Sequence, residues 1–83
     1  MEKVIKVNTT SVYEPRALAE LVGIANQYTS HIVLSMGSRQ VNAKSIMGIM
    51  GLGLDVDKEI TICAQGEDEA QAVAALEDFL TEN

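Results

Sequence analysis

The sequence predicts a two-layer sandwich in which helices cover one face of a largely antiparallel β-sheet. Short stretches with apolar residues at every second position indicate four strands, and stretches with apolar residues three or four apart indicate helices. These segments follow one another in the order βαββαβα. One strand-to-strand connection is the dipeptide Gly37-Ser38, a length that joins antiparallel neighbours. Helices packed on one face of such a sheet complete two layers.

The first strand and the first helix come from the N-terminal third of the chain. Residues 3–8 are predicted as a strand with Ile5 and Val7 on one face. Residues 15–27 are predicted as an amphipathic helix, because Pro15 suits a first turn that needs no amide donor. The apolar stripe of this helix is Leu18, Leu21, Val22, Ala25 and Tyr28.

A hairpin and a short helix follow. Residues 31–36 alternate between apolar and polar positions, so they form a half-buried strand, and residues 39–42 return as its partner. Ser45 then precedes the segment IMGIMG, residues 46–51, whose glycines make a helix intrinsically weak and therefore short.

The last strand and the last helix close the chain. Residues 58–64 are predicted as a strand with Ile60, Ile62 and Ala64 facing inward. Three consecutive acidic residues, 67–69, mark the start of the final helix, where the helix dipole favours negative charge. Its buried stripe is predicted to be Ala72, Val73, Leu76, Phe79 and Leu80.

Size and composition limit the classes of function. The chain has 83 residues, nearly half of them apolar, and we expect a single packed domain over residues 1–83. Its net charge of −6 argues against nucleic acid or an anionic membrane as the main partner. Cys63 is the only cysteine, which excludes an internal disulfide. With no export signal and no apolar run of about 20 residues, we expect a cytoplasmic protein.

The residues around the short helix carry the main functional hypothesis. Ser45 is predicted first of all to cap the helix N-terminus, and the same hydroxyl is also compatible with regulatory phosphorylation, since helix N-termini tolerate anions. Ile46, Met47 and Met50 form either an exposed docking surface or ordinary core, and their spacing does not distinguish the two. Ile49 and Leu52 are better placed to face the core.

Other chemically capable residues lack the partners that a site requires. His31 and Cys63 are given no role, and the acidic residues 67–69 are interpreted as a solvated helix start. The sequence has no phosphate-binding glycine loop, nucleophile elbow or zinc-ligand spacing. We therefore expect a protein that is not an enzyme and needs no metal or cofactor.

The segment VNAKSIMGIMGLG, together with EITICAQGEDEAQAVAALEDF, closely resembles the HPr phosphocarrier family of the bacterial sugar phosphotransferase system. The resemblance covers essentially the whole chain. It implies the α+β HPr fold, an open-faced β-sandwich of order βαββαβα with a four-stranded antiparallel sheet covered on one face by three helices. It also implies that Ser45 matches the serine phosphorylated by the ATP-dependent HPr kinase/phosphorylase of Gram-positive bacteria.

The family's second signature is altered. HPr proteins carry a phosphoryl group on the histidine of a Gly-Ile-His-Ala-Arg-Pro motif, where this chain has the segment VYEPRA, residues 12–17. Arg16 retains the arginine, but Glu14 replaces the phosphohistidine and the proline has moved to position 15. The resemblance therefore predicts no histidine phosphocarrier activity. For Glu14 two hypotheses remain, a helix cap that neutralises Arg16 and a weak mimic of phosphohistidine.

An HPr-like chain without the histidine but with the serine resembles the Crh-type paralogues that act in carbon catabolite repression. That resemblance implies a corepressor of a CcpA-type transcription regulator, bound through phospho-Ser45, the apolar residues Ile46, Met47 and Met50, and a charge contact from Arg16. It allows either a monomer or a strand-exchanged homodimer. Two alternatives stay open: a phosphocarrier that uses another residue, and a divergent interaction module with a different partner.

Overall fold

The computed structural model describes residues 1–8, 15–54 and 57–81. Its strands are β1 (Glu2–Lys6), β2 (His31–Met36), β3 (Arg39–Asn42) and β4 (Glu59–Gln65), and its helices are α1 (Pro15–Ala25), α2 (Ile46–Leu52) and α3 (Glu69–Thr81). The strands form one antiparallel sheet in the order β1-β4-β2-β3. The predicted order βαββαβα and the antiparallel sheet are therefore confirmed.

The hairpin has the bounds that its sequence predicts. Met36 pairs with Arg39 across the two-residue turn, and Gly37 adopts a φ of +62°, a conformation that glycine reaches without a Cβ clash. Short-range geometry is sufficient to specify such a turn, so this part of the fold follows directly from the local sequence.

Several predicted boundaries shift by one or two residues. β1 spans residues 2–6 instead of 3–8, because the amides of Val7 and Asn8 donate to the carbonyls of Lys58 and Leu80. Ile5 and Val7 are nevertheless both buried, as predicted. The fourth strand lies one residue further along the chain than expected, at 59–65.

The first helix ends at Ala25, two residues before the predicted end. The amide of Asn26 still bonds to the carbonyl of Val22, whereas those of Gln27 and Tyr28 bond three residues back, to Ile24 and Ala25. This tightening of the last turn is a common way to satisfy the carbonyls at a helix end.

The core lies between the inner face of the sheet and the helices. On the sheet side it contains the side chains of Ile5, Ile32, Leu34, Ile60, Ile62 and Ala64, and on the helix side those of Leu21, Ala25, Ile49, Leu52, Ala72, Val73, Leu76 and Leu80. Phe79, predicted in the buried stripe, is only partly buried against this cluster. None of the described helices is long and apolar enough to cross a lipid bilayer.

Candidate protein-binding surface

Ser45 begins α2 in the geometry of an N-cap. Its backbone is extended, with φ −109° and ψ 115°, and its Oγ accepts a hydrogen bond of 3.2 Å from the amide of Gly48. Its carbonyl accepts the first helical bond, 3.0 Å from the amide of Ile49. The N-cap predicted from the sequence is thus confirmed, and Ser45 as a residue is partly exposed to solvent.

The other end of α2 is held by residues to which the sequence patterns assign no role. Gly53 takes the left-handed conformation, φ +78°, which ends the helix. The Nη1 atom of Arg39 donates a hydrogen bond of 3.0 Å to the carbonyl of Gly51 in the last turn. The last carbonyls of a helix lack regular intrahelical partners in general, and a cation at a helix C-terminus is favourable.

The helix presents two different faces. Ile49 and Leu52 are buried in the core, as predicted. Met47 keeps 81% of its surface exposed, Met50 57% and Ile46 38%. The spacing of these three residues does not distinguish an exposed surface from core packing, and the structure shows that they are exposed to solvent next to Ser45. We call Ser45, Ile46, Met47 and Met50 together the α2 surface.

Two glycines make α2 dependent on its surroundings. Gly48 and Gly51 each weaken a helix by about 1 kcal/mol relative to alanine. A Cβ on Gly48 would lie 3.3 Å from the Cβ of Val41, so this glycine lets the helix pack closely on β3. The helix is therefore kept in place by its buried side and by its two capped ends.

The cations around the α2 surface differ in how they are engaged. The Nζ atom of Lys44 donates a hydrogen bond of 2.8 Å to the carbonyl of Tyr28, just beyond the end of α1. Arg16 is 90% exposed, and its Nε atom lies 4.0 Å from an oxygen of Glu20 one helical turn away. α1, the helix that carries Arg16, packs against α2.

Other residues considered from the sequence lie elsewhere. Glu14 falls outside the described residues. His31 and Cys63 lie on the face of the sheet opposite the helices and contribute to a shallow concavity there, together with Glu2, Val33, Ser35, Gln40, Thr61 and Gln65. No group of three or more His, Cys, Asp or Glu within residues 1–8, 15–54 and 57–81 is arranged to hold a metal ion.

The acidic start of α3 is not simply solvated, which corrects the sequence interpretation. Glu67 is exposed, but the carboxylate of Asp68 accepts hydrogen bonds from the amides of Thr29 and Ser30, at 2.8 and 3.0 Å, and from both of their hydroxyls. These bonds lower the pKa of Asp68 to about 2. The bond from the Ser30 hydroxyl has the largest effect, followed by the bond from the Thr29 amide. Asp68 therefore fastens α3 to the turn before β2.

Replacing Asp68 by Asn should make the folding stability less dependent on pH in the acidic range. Because the folded pKa lies below the ordinary value of 3.8, the carboxylate stabilises the fold above that value and loses its contribution as the pH falls towards 2. The denaturant midpoint of the variant should lie below that of the natural chain at neutral pH, and the two should converge between about pH 4 and pH 2. Glu67→Gln, which changes an exposed neighbour, is the control, and a pH-independent difference would contradict the assignment.

The chain is similar over almost its whole length to proteins of known families. A family model described as the phosphorylation site of the PTS HPr component matches residues 1–82. The HPr-like protein Crh of Bacillus subtilis strain 168 is 37% identical over 82 residues, which cover 99% of this chain and 96% of Crh.

Solved structures agree with the sequence match. The phosphocarrier protein HPr of Bacillus anthracis strain Ames superposes with a TM-score of 0.92 at 34% identity, covering 96% of this chain and 95% of that one. A crystal structure of Bacillus subtilis Crh, described as a dimer with a swapped domain, gives a TM-score of 0.78 at 38% identity, covering 94% and 85%. The fold, the family model and the relatives lead to one conclusion: the chain belongs to the HPr family of the phosphotransferase system.

Proposed function

We propose that this HPr-family protein is a Crh-like regulator of carbon catabolite repression, switched by ATP-dependent phosphorylation at Ser45. It acts in the cytoplasm by binding other proteins and transfers no phosphoryl group through a histidine. The observation that carries the proposal is the α2 surface, where a partly exposed serine caps a short helix that presents three exposed apolar side chains.

Phosphorylation at Ser45 would change this surface more than the fold. A phosphoryl group adds a charge of about −1.5 to −2, and a helix N-terminus accommodates an anion there. Two of the cations in this part of the structure, Lys44 and Arg39, already donate to backbone carbonyls. The new charge is therefore available to a partner's basic group.

The similarity to HPr and Crh supplies the proposed partners, and the side chains beside Ser45 suggest how they would bind. HPr kinase/phosphorylase would modify Ser45, and a CcpA-type transcription regulator would then bind the product. A basic group of the regulator would pair with phospho-Ser45, and an apolar pocket would take up Ile46, Met47 and Met50, whose methionines adapt to varied surfaces. The exposed guanidinium of Arg16 would add a flanking charge contact.

The absence of histidine carriage is proposed from the identity of residue 14. The family motif places an imidazole there, and Glu14 offers a carboxylate, which would have to form an acyl phosphate. The competing phosphocarrier hypothesis instead requires labelling by phosphoenolpyruvate and enzyme I that Glu14→Gln abolishes.

The oligomeric state is proposed to be a monomer or a strand-exchanged homodimer. β1 lies at the edge of the sheet and pairs with β4 through the register Glu2 to Cys63 and Lys6 to Glu59. The same strand from a second copy could form this register, and the swapped dimer described for Bacillus subtilis Crh is consistent with such an exchange.

Incubation with ATP and HPr kinase/phosphorylase should add one phosphoryl group to the natural chain and none to Ser45→Ala. Intact-protein mass spectrometry measures both, with an HPr labelled in the same tube to show that the kinase is active. Ser38→Ala, which removes an exposed hydroxyl in the β2–β3 turn, is the matched control and should be labelled normally.

Folding of the variant needs its own measurement, because Ser45→Ala also removes the N-cap at a cost of about 1 kcal/mol. Urea denaturation will show whether the variant is folded under the labelling conditions. An unlabelled natural chain beside a labelled HPr would contradict the proposed switch and favour the divergent interaction module.

A further inference from the structure

We infer that Arg39 is a positioning residue for the α2 surface, which it orders from outside the helix without itself contacting the partner. The inference rests on the proposed function of that surface. Arg39 is the first residue of β3, directly after the hairpin turn, and its guanidinium reaches across to the carbonyl of Gly51 at 3.0 Å.

The bond lies where α2 most needs an external partner. Gly51 is in the last turn, next to Met50, and a Cβ built on Gly51 meets no atom within 4 Å. Within the described residues, no other segment packs directly against the helix at the Cα of Gly51. Of the side-chain hydrogen bonds to the α2 backbone in the described structure, that of Ser45 holds the first turn and that of Arg39 the last.

The two bonds act at opposite ends of the helix dipole. An anion or an oxygen acceptor is favourable at the N-terminus, where Ser45 lies, and a cation at the C-terminus, where Arg39 lies. Met47 and Met50 are held between these two ends. If the last turn frays, Met50 loses its fixed position relative to Met47, and a partner must then order the helix as it binds.

Hydrogen exchange of the free, unphosphorylated protein tests the inference first. In Arg39→Gln the amides of residues 50–53 should exchange about 2- to 10-fold faster than in the natural chain, because a charge-assisted bond to the last turn is lost. Arg39→Lys, which keeps a cation able to donate, should restore most of the protection. Lys58→Gln removes one exposed positive charge elsewhere and should change none of these amides.

Binding kinetics then separate positioning from direct contact. For the Ser45-phosphorylated chain and a CcpA-type regulator, Arg39→Gln should raise Kd about 2- to 5-fold through faster dissociation, with the salt dependence of association unchanged. Slower association with a shallower salt dependence would make Arg39 a direct charge contact and overturn the inference, as would unchanged hydrogen exchange. Failure of every phosphorylated chain to bind the regulator would instead refute the proposed function. The hydrogen-exchange result would then still test whether Arg39 orders the last turn of α2.

Discussion

Replacing Met47 by Asp is expected to weaken strongly the binding of the Ser45-phosphorylated chain to a CcpA-type regulator. Met47 is the most exposed residue of the α2 surface, and burial of its side chain against a partner would contribute about 1.5–3 kcal/mol. An aspartate would lose this contribution and would also place a desolvated carboxylate in an apolar pocket. We expect Kd to rise by roughly 30-fold or more, which corresponds to about 2 kcal/mol, the threshold of an interface hot spot.

The matched control is Val4→Asp. Val4 is 60% exposed and belongs to β1, so the same charge is introduced at an apolar surface position away from α2. Titration calorimetry on both phosphorylated variants should show weak binding only for Met47→Asp, with both stabilities within about 0.5 kcal/mol of the natural chain. Natural affinity in Met47→Asp would remove the α2 surface from the proposed interface.

Replacing Gly66 by Ala is expected to cause the largest loss of stability, about 3 kcal/mol. An added Cβ would lie 2.6 Å from the hydroxyl oxygen of Ser30 and 2.7 Å from its Cα, and the Cα is backbone that cannot rotate away. Gly66 also has a φ of +152°, a backbone conformation that residues with a side chain rarely adopt. The clash would push the start of α3 away from the turn that Asp68 binds.

Gly23→Ala is the contrasting control for this substitution. Gly23 lies inside α1 with no atom within 4 Å of a built Cβ, so alanine there should stabilise the protein by about 0.5–1 kcal/mol. Thermal or urea unfolding should therefore shift in opposite directions for the two variants. Equal and small shifts would show that the Gly66 backbone relaxes without cost.

Features specified by nearby residues are predictable from the sequence of this protein. The alternation in residues 31–36 and the Gly37-Ser38 turn predict the hairpin with the observed bounds, because strand periodicity and turn geometry are local. Ser45 is predicted as an N-cap for the same reason, since its hydroxyl bonds to an amide only three residues away. The burial of Ile49 and Leu52 is predicted by their positions on one side of the short helix.

Features that join distant segments are not visible in such patterns. Asp68 accepts hydrogen bonds from Thr29 and Ser30, which lie 39 and 38 residues earlier in the chain. Its sequence neighbours therefore suggest only a solvated helix start. The close approach of Gly66 to Ser30 also joins distant segments. The sequence pattern does not reveal it, although Gly66 and Asp68 both belong to the GEDE segment, which carries part of the family resemblance.

The α2 surface depends on both kinds of information. The chemistry of the candidate switch, a serine before a glycine- and methionine-rich helix and a glutamate in place of the family's histidine, can be read from the order of the residues. The exposure of Met47 and Met50 depends on how α2 packs against β3 and the core. The bond from Arg39 to the last turn of α2 depends on the same packing. Residue type is local, whereas exposure and long-range bonding exist only once distant segments have met.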